Sequence, residues 1–587
     1  MKIFILGLKV YKPVIIISLL VGLVYISHHF FMVNNLGDKQ SYSPVFINGV
    51  SDDNMYYAAR AMVVYSGRWI ARDPNLSEYQ DGPPVLPVLN PMLLGGVSKL
   101  FGSIKQGLII SDFIFPTLIF LVIYFLALEI SQRKLLSLLF AIVFIFAPGP
   151  SLLFPPYAFA HIIELIKSIF PVFGDAGPLY FSRLEYPKLT FFFYGLVLLL
   201  TLRALKRKDN KSVFFAGISF GLLFYTYLYD WASFLSALLI MIFFNLIQKN
   251  YVQTKRIITI ILIGLIVSIP YWVNFWLLHN MPQYDDIVAR IGMEATHSFR
   301  LISVWKSYFR IAFLFIMLSF LSYKDRIKFN FLAGLLLAYC AVINMQVITG
   351  FNPQPDHWHK TQFLAISLVV FMIIIWFYDK LFFKLKFKRF FAYAFVLLLL
   401  FSQFYGQYVF SKLNYNRYTM PKDYREAYGW LNSNTPNASV VGSISFEVNT
   451  ELLVHTHNKV FIPSGYNTLA PTNEIWQRSM ILSKLYGLND EEYVDFVEKG
   501  NVYLFSGLFL DHSHDSYFRS STRNIPSDLL KTKEIQYSQY IFSPDTISYQ
   551  LDYLFFEDQS LYKDPIVIYK NLKKLYENKS IKIYQVF

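Results

Sequence analysis

Two adjacent carboxylates, Asp52 and Asp53, open a helical pattern in "SDDNMYYAARAMVVYSGRW", residues 51–69. Ser51 can cap that helix, and the helix dipole favours negative charge in its first turn. Asp52/Tyr56 and Asp53/Tyr57 are i, i+4 pairs, so each shares a face. A carboxylate held ionised at a helix start suits a general base that accepts a hydroxyl proton, and Tyr57 beside it is a candidate acceptor contact. The bland alternative is a routine acidic helix start. Groups that could answer a phosphate lie far away in the chain. Arg183, in "FGDAGPLYFSRLEYPKLT", can grip a phosphate in a bidentate fashion or simply anchor at a membrane interface. His357, His359 and Lys360, in "NPQPDHWHKTQ", stand just before an apolar run, where donors and cations would stabilise a phosphate leaving group. The His-x-His pair also fits zinc, but no third ligand accompanies it. Asp285, Asp286 and Glu294 are candidates for a divalent cation, with a solvated loop as the alternative. Glu185 and Lys188 read as interface residues. In "YTYLYDW", residues 225–231, the aromatics read as an interfacial belt, while Asp230 is harder to place.

These residues must be held by membrane helices. The 587-residue chain is 55% hydrophobic and 19% aromatic, too apolar for a soluble enzyme. The net charge of +14 does not indicate nucleic acid, because the basic residues cluster in short loops between apolar runs, as positive-inside topology requires. Such loops fall at 133–134, 203–211, 249–256, 324–328 and 380–389, each separated from the next by two apolar segments. The pattern predicts about eleven transmembrane helices, near 13–33, 107–129, 135–150, 189–205, 211–228, 232–247, 257–277, 303–321, 330–348, 362–379 and 390–410. The first follows Lys2, Lys9 and Lys12 and lacks a small-residue cleavage site, so it reads as an uncleaved anchor with a cytoplasmic N-terminus. The stretch 83–102, with its prolines and glycines, reads as a helix in the outer interface rather than a span. Loops 34–106, 151–188, 278–302 and 349–361 then lie outside, together with residues 411–587. That last region alternates short β-rich runs ("ASVVGSI", "KVFIPSG", "NVYLFSGLFL", "PIVIYKN", "IKIYQVF") with amphipathic helices near 422–433 and 472–487, a small α/β domain. Within it Tyr466 and Arg478 are candidate acceptor contacts. The single cysteine, Cys340, lies in an apolar run and reads as a core thiol. No phosphate-binding glycine loop occurs.

"DNMYYAARAMVVYSGRW" followed by "DGPPVLPVLNPMLLGGVSKLFG" resembles the first outer loop of the GT-C superfamily of integral-membrane glycosyltransferases, of the protein mannosyltransferase and aminoarabinose transferase type. The shared pattern is an acidic residue or pair, a Tyr-Ala one turn later, a Gly-x-Trp, and a Pro-Pro segment ending in Phe-Gly. The resemblance implies a GT-C-like membrane domain over 1–410, an extracytoplasmic α/β domain over 411–587, and a donor sugar carried on a polyprenyl phosphate or diphosphate. It implies Asp53 as catalytic base with Asp52 as its neighbour, and Asp175 as a possible second acidic site. Relatives often carry Asp-Glu where this chain has Asp52-Asp53, which leaves open which carboxylate acts.

The function expected is transfer of a sugar from a polyprenyl-linked donor to a glycan, lipid or protein acceptor at the outer face of the plasma membrane. A divalent cation is possible, and no cofactor is certain. A non-catalytic or transport component of glycan assembly is the alternative, with the scarcity of ionisable residues in the expected spans standing against it.

Overall fold

The computed structural model describes residues 2–45, 53–147, 166–167, 169–171, 176–207, 209–299, 305–322, 325–354, 357–381, 388–511, 523–543, 547–558, 562–569 and 572–586, without the side chains of 2–10, 322, 359, 360, 379–381 and 388. Asp52 and Asp175 lie outside the described residues, and of His359 and Lys360 only the backbone is described. The chain is mostly helical. It divides into two compact units, one of Met1–Asn34, Ile109–Trp272 and Thr296–Asn414, the other of Asn35–Leu108, Val273–Ala295 and Tyr415–Phe587.

The first unit is built of apolar helices. Against the eleven spans expected, the described residues contain six helices long and apolar enough to cross a membrane: Tyr11–Asn34, Ile104–Ser131, Leu184–Lys206, Leu228–Ile247, Thr361–Tyr378 and Arg389–Leu413. A seventh is present if Tyr251–Val267 and Ile269–His279, bent by 52°, form one span. The segments expected near 135–150, 211–228 and 330–348 are the helices Lys134–Phe146, Asn210–Leu223 and Arg326–Val342, of 13, 14 and 17 residues. Each is shorter than the roughly 20 residues that bridge the hydrocarbon. The segment near 303–321 is Trp305–Ser322, whose first turns carry Lys306 and Arg310.

The basic loops meet one another. Arg203 Nε donates to Glu129 at 2.9 Å, Gln253 Nε2 to the Leu205 carbonyl at 2.8 Å, and Arg256 Nη1 to the Ala204 carbonyl at 2.9 Å. Loops 129–134, 203–211 and 249–256 therefore share one end of this unit. Buried amides lock the helices near that end, with Asn330 Nδ2 donating to Asn245 at 3.2 Å and Gln248 Nε2 to Asn330 at 3.0 Å.

The second unit contains a five-stranded sheet. Val440–Gly442 runs parallel to Lys459–Val460 on one side and to Tyr553–Glu557 on the other, and Tyr553–Glu557 pairs antiparallel with Ile581–Gln585, which pairs with the edge strand Lys573–Glu577. Lys422–Asn434 and Thr472–Leu485 form helices where amphipathic helices were expected. Two of the runs read as β are helical: "NVYLFSGLFL" begins with Asn501–Phe505, and "PIVIYKN" with Pro565–Ile568, started by Asp564 accepting from the Ile566 N–H. Trp476 stacks on Phe505 at 4.5 Å within the core beside the sheet.

Asp53–Tyr65 is a 13-residue helix of this second unit. It packs on the 12-residue helix Leu89–Leu100, all that the stretch 83–102 contributes. Gly95 permits that packing, since a Cβ there would lie 2.8 Å from the Ala61 carbonyl and 2.5 Å from the Val64 Cβ. Arg60 ties the same helix to the proline segment by donating to the Pro87 carbonyl.

Candidate functional site

In the first unit three helix starts converge. Tyr186 sits in the wide turn Leu184–Leu189 that leads into the Thr190–Lys206 helix, and Pro187, with no N–H to donate, holds the chain out of regular helix there. Tyr227 is the N-cap of Leu228–Ile247, and His357 directly precedes Trp358–Leu381. The Tyr186 and Tyr227 rings stack at 4.6 Å, and Tyr227 Oη lies 2.5 Å from His357 Nδ1. The Tyr229 ring stands 5.0 Å from His357 and 4.7 Å from Trp358. The Leu228–Ile247 and Trp358–Leu381 helices bring the positive ends of their dipoles to this place, which favours an anion. Arg183, half-buried on an extended residue between two short turns, adds a guanidinium three residues ahead of Tyr186. The Thr190–Lys206 helix is 17 residues long, so its start lies about 25 Å from the basic-loop end marked by Arg203.

The turn that carries Tyr186 is anchored by a buried charge cluster that the sequence reading missed. Lys188 Nζ is paired with Asp112 Oδ1 and lies 3.1 Å from Ser111 Oγ, while Asp112 Oδ2 is 2.7 Å from His29 Nε2. The Lys188 side chain is 0% exposed and that of Asp112 5%. His28 stacks beside His29 with ring centroids 3.9 Å apart and places Nδ1 2.9 Å from the Tyr25 carbonyl. Lys188 and Glu185 are thus buried rather than interfacial, and ionisable groups are not scarce within the apolar helices: His28, His29, Asp112, Lys188, Glu185 and Asp230 are all buried there. This removes the argument raised against transport. The available signal was a charge inside an apolar run, which is expensive and marks function or a specific partner. Among the described residues His28, His29 and Asp112 also form a group whose ligand atoms lie within 4.8 Å of one another, as a metal site requires. Lys188 already neutralises Asp112, however, so a divalent ion there would leave two net positive charges in a low dielectric.

In the second unit Asp53 is the first residue of its helix and half-buried, with Tyr57 buried one turn on. The Tyr56 ring lies 5.8 Å from that of Tyr466, whose loop is fixed from two sides. Arg290 donates to the carbonyls of Gly465, Thr468 and Ala470 and, at 2.7 Å, to Thr472 Oγ1. Asp73 accepts from the Asn75, Leu76 and Leu469 N–H groups and from Thr468 Oγ1. Lys459 closes the same corner by donating to the Asp73 and Pro74 carbonyls, and burial pulls its ammonium down to about 8. A loop with its carbonyls and N–H groups so occupied is preorganised.

Arg478 is a correction. Fully buried, it donates to Glu474 at 2.8 Å and Glu78 at 2.7 Å and lies over the Tyr549 ring, so it is a clamp inside the second unit and not an acceptor contact. Asp286 likewise serves structure, accepting from the Thr472 N–H at 2.9 Å.

No protein-family model and no curated protein matches the chain. The solved structures similar to it include three GT-C glycosyltransferases. The arabinofuranosyltransferase AftD from Mycobacteria is 11% identical over 99% of this chain and 40% of its own, with a TM-score of 0.45. ArnT from Cupriavidus metallidurans, bound to undecaprenyl phosphate, is 9% identical over 99% and 98%, with a TM-score of 0.43. The apo oligosaccharyltransferase from Archaeoglobus fulgidus is 13% identical over 93% and 69%, also at 0.43. All these scores lie below 0.5, and the functional reading rests on this chain's own residues.

Proposed function

We propose that this chain is a membrane glycosyltransferase that moves a sugar from a polyprenyl phosphate or diphosphate to a glycan, lipid or protein acceptor. The observation that carries the reading is the meeting of three apolar-helix starts at Tyr186, Tyr227 and His357, with Arg183 close in sequence. A site of that kind, at the ends of membrane helices, suits a phosphate whose lipid tail lies among those helices. In the reaction an acceptor hydroxyl oxygen attacks the anomeric carbon while the bond from that carbon to the phosphate oxygen breaks. Asp53 takes the hydroxyl proton, with Asp52 as its neighbour and Asp175 as a second acidic group. Arg183 and His357, joined by His359 and Lys360, stabilise the charge that develops on the departing lipid phosphate. Tyr57 and Tyr466 contact the acceptor, and a divalent cation is compatible with the scheme. The reading includes a membrane domain over 1–410 with a cytoplasmic N-terminus, and an extracytoplasmic domain over 411–587.

The buried charges around Asp112 favour one second reading, a transport component of glycan export. Lipid analysis separates the two. Cells lacking the protein, and cells carrying Asp53→Asn, should accumulate one polyprenyl-linked sugar that the wild-type gene clears. Absence of any accumulated lipid in the null cells refutes transfer, and clearance by Asp53→Asn removes Asp53 as the base.

A further inference from the structure

Lys105 lies in the first turn of the Ile104–Ser131 helix, Arg425 in the first turn of Lys422–Asn434, and His455 at the end of Phe446–His455, all three within the second unit. Arg425, Tyr428 and Asn432 follow one another at i, i+3 and i+7 and share one face of their helix. His455 covers that face. Its ring stacks on Tyr428 at 5.8 Å, and its carbonyl accepts from Asn432 Nδ2 at 2.8 Å. Lys105 reaches the same corner from a different element. Its Nζ stands 5.2 Å over the Tyr42 ring, and Tyr42 pairs with Thr419, two residues ahead of Pro421, the N-cap of the Arg425 helix. Tyr65 Oη holds the turn before Lys105 by donating to the Gly102 carbonyl at 2.9 Å.

No carboxylate answers this charge. Among the described residues neither Lys105 nor Arg425 pairs with an acid, and the acids nearby are engaged elsewhere: Asp423 accepts from Ser580 Oγ at 2.5 Å, Glu451 from Tyr428 Oη at 2.8 Å and Glu557 from Tyr424, while the charge of Glu426 reaches Tyr576. His455 is 9% exposed, and its Nε2 is buried with no hydrogen-bond partner. Burial, then the charges of Arg425 and Lys105, take its pKa from 6.5 to about 3, so the ring is neutral and can carry its proton on Nε2. The corner is open, since Arg425 is exposed and Lys105 half-buried. An ammonium, a guanidinium and an N–H that lack acceptors favour an anion, and donors arriving from three separate elements suit the several oxygens of a phosphate. Lys105 begins a helix long and apolar enough to cross a membrane, which sets the corner at the level of lipid headgroups. A zwitterionic headgroup would bring its own ammonium against these cations, and an anionic one would not. We infer that Lys105, Arg425 and His455 bind the phosphate of an anionic phospholipid on the side of the membrane where the Ile104–Ser131 helix begins. The inference does not depend on the glycosyltransferase reading.

The test titrates purified full-length protein in detergent with phosphatidylglycerol, phosphatidylcholine or inorganic phosphate and counts the bound molecules by native mass spectrometry. Arg425→Gln and Lys105→Gln should each weaken one phosphatidylglycerol site about 10- to 100-fold, the worth of a charge-assisted hydrogen bond, and leave phosphatidylcholine binding unchanged. Lys573→Gln, which removes an exposed cation from the edge strand, should leave that site intact. Without lipid, Arg425→Gln should melt no lower than the wild type, because it relieves the repulsion between two cations. Equal binding of the two lipids by the wild type, or equal losses in Arg425→Gln and Lys573→Gln, would overturn the site by reducing it to diffuse surface charge. A lower melting point for Arg425→Gln would overturn it by showing the guanidinium to be a strut of the fold. Displacement of phosphatidylglycerol by inorganic phosphate at equal concentration would assign the corner to a soluble phosphate and remove the lipid.

Discussion

Replacing Lys188 with methionine is expected to be among the most damaging single changes in the first unit. Lys188 is wholly buried, and its ammonium is what neutralises Asp112, which among the described residues also meets His29 Nε2 at 2.7 Å. Breaking a buried pair from one side leaves a charge in a low dielectric and costs about 3–5 kcal/mol. Removing both charges, as in Lys188→Met with Asp112→Leu, replaces the pair by apolar groups of similar size and is close to neutral. The two substitutions should therefore couple by at least about 2 kcal/mol. Unfolding free energies of the wild type, both single variants and the double variant, from denaturant titration in detergent, give that coupling directly. Because Lys188 anchors the turn that bears Tyr186, transfer activity should fall in Lys188→Met even at temperatures where the protein stays folded. A single variant that loses less than about 1 kcal/mol, or a double variant that loses the sum of the singles, refutes the buried-pair argument.

Stability should also depend on pH through Glu451, which is buried beneath Tyr428 Oη at 2.8 Å and pushed up to about 7, chiefly by burial, from the ordinary glutamate value of 4.5. A raised carboxyl binds its proton more tightly in the folded state, so its contribution is largest below 4.5, is lost as pH rises to 7, and is flat above that. The loss amounts to about 3 kcal/mol. Glu451→Gln should remove it, and identical midpoint-versus-pH profiles for wild type and variant would show that the group does not titrate this way. Membrane orientation can be read with single cysteines introduced in a Cys340→Ser background. The exposed Ser433→Cys should react with a membrane-impermeant thiol reagent from outside and the exposed Lys211→Cys should not. The reverse pattern would place the Tyr186–His357 site on the cytoplasmic side.

The apolar runs, the basic loops and the acidic helix start are local features, and the sequence expresses them plainly. The loops around 183, 227 and 357 were expected on one side of the membrane, and the structure brings Tyr186, Tyr227 and His357 together. What sequence could not express is pairing over distance. Asp112 reads as a stray charge until His29, 83 residues earlier, and Lys188 are set beside it. Arg478 has one partner legible in sequence, Glu474 a turn earlier on its helix, and a second, Glu78, 400 residues away, which is what completes its burial. Short buried runs fail for another reason. The four or five apolar residues at 501–505 have no period to separate strand from helix, and burial of Tyr503, Leu504 and Phe505 satisfies either. At 565–568 the signal was present, since Asp564 followed by Pro565 is a helix start.

The loop holding Tyr466 has a bearing on how the protein is made. Its two fasteners, Asp73 and Arg290, leave the ribosome long before it does, with 396 residues separating Asp73 from Leu469 and 178 separating Arg290 from Thr468. At about 5–20 residues per second, Arg290 waits about 10–40 s for its carbonyls to be synthesised. Throughout that interval a carboxylate and a guanidinium destined for burial remain hydrated, and the neighbour that Tyr56 will have on the Asp53 helix does not yet exist. A polypeptide that stops short of residue 465 lacks every carbonyl and hydroxyl that the Arg290 guanidinium binds and leaves Asp73 with its local Asn75 and Leu76 N–H groups, which gives cellular quality control a means of telling an unfinished chain from a complete one.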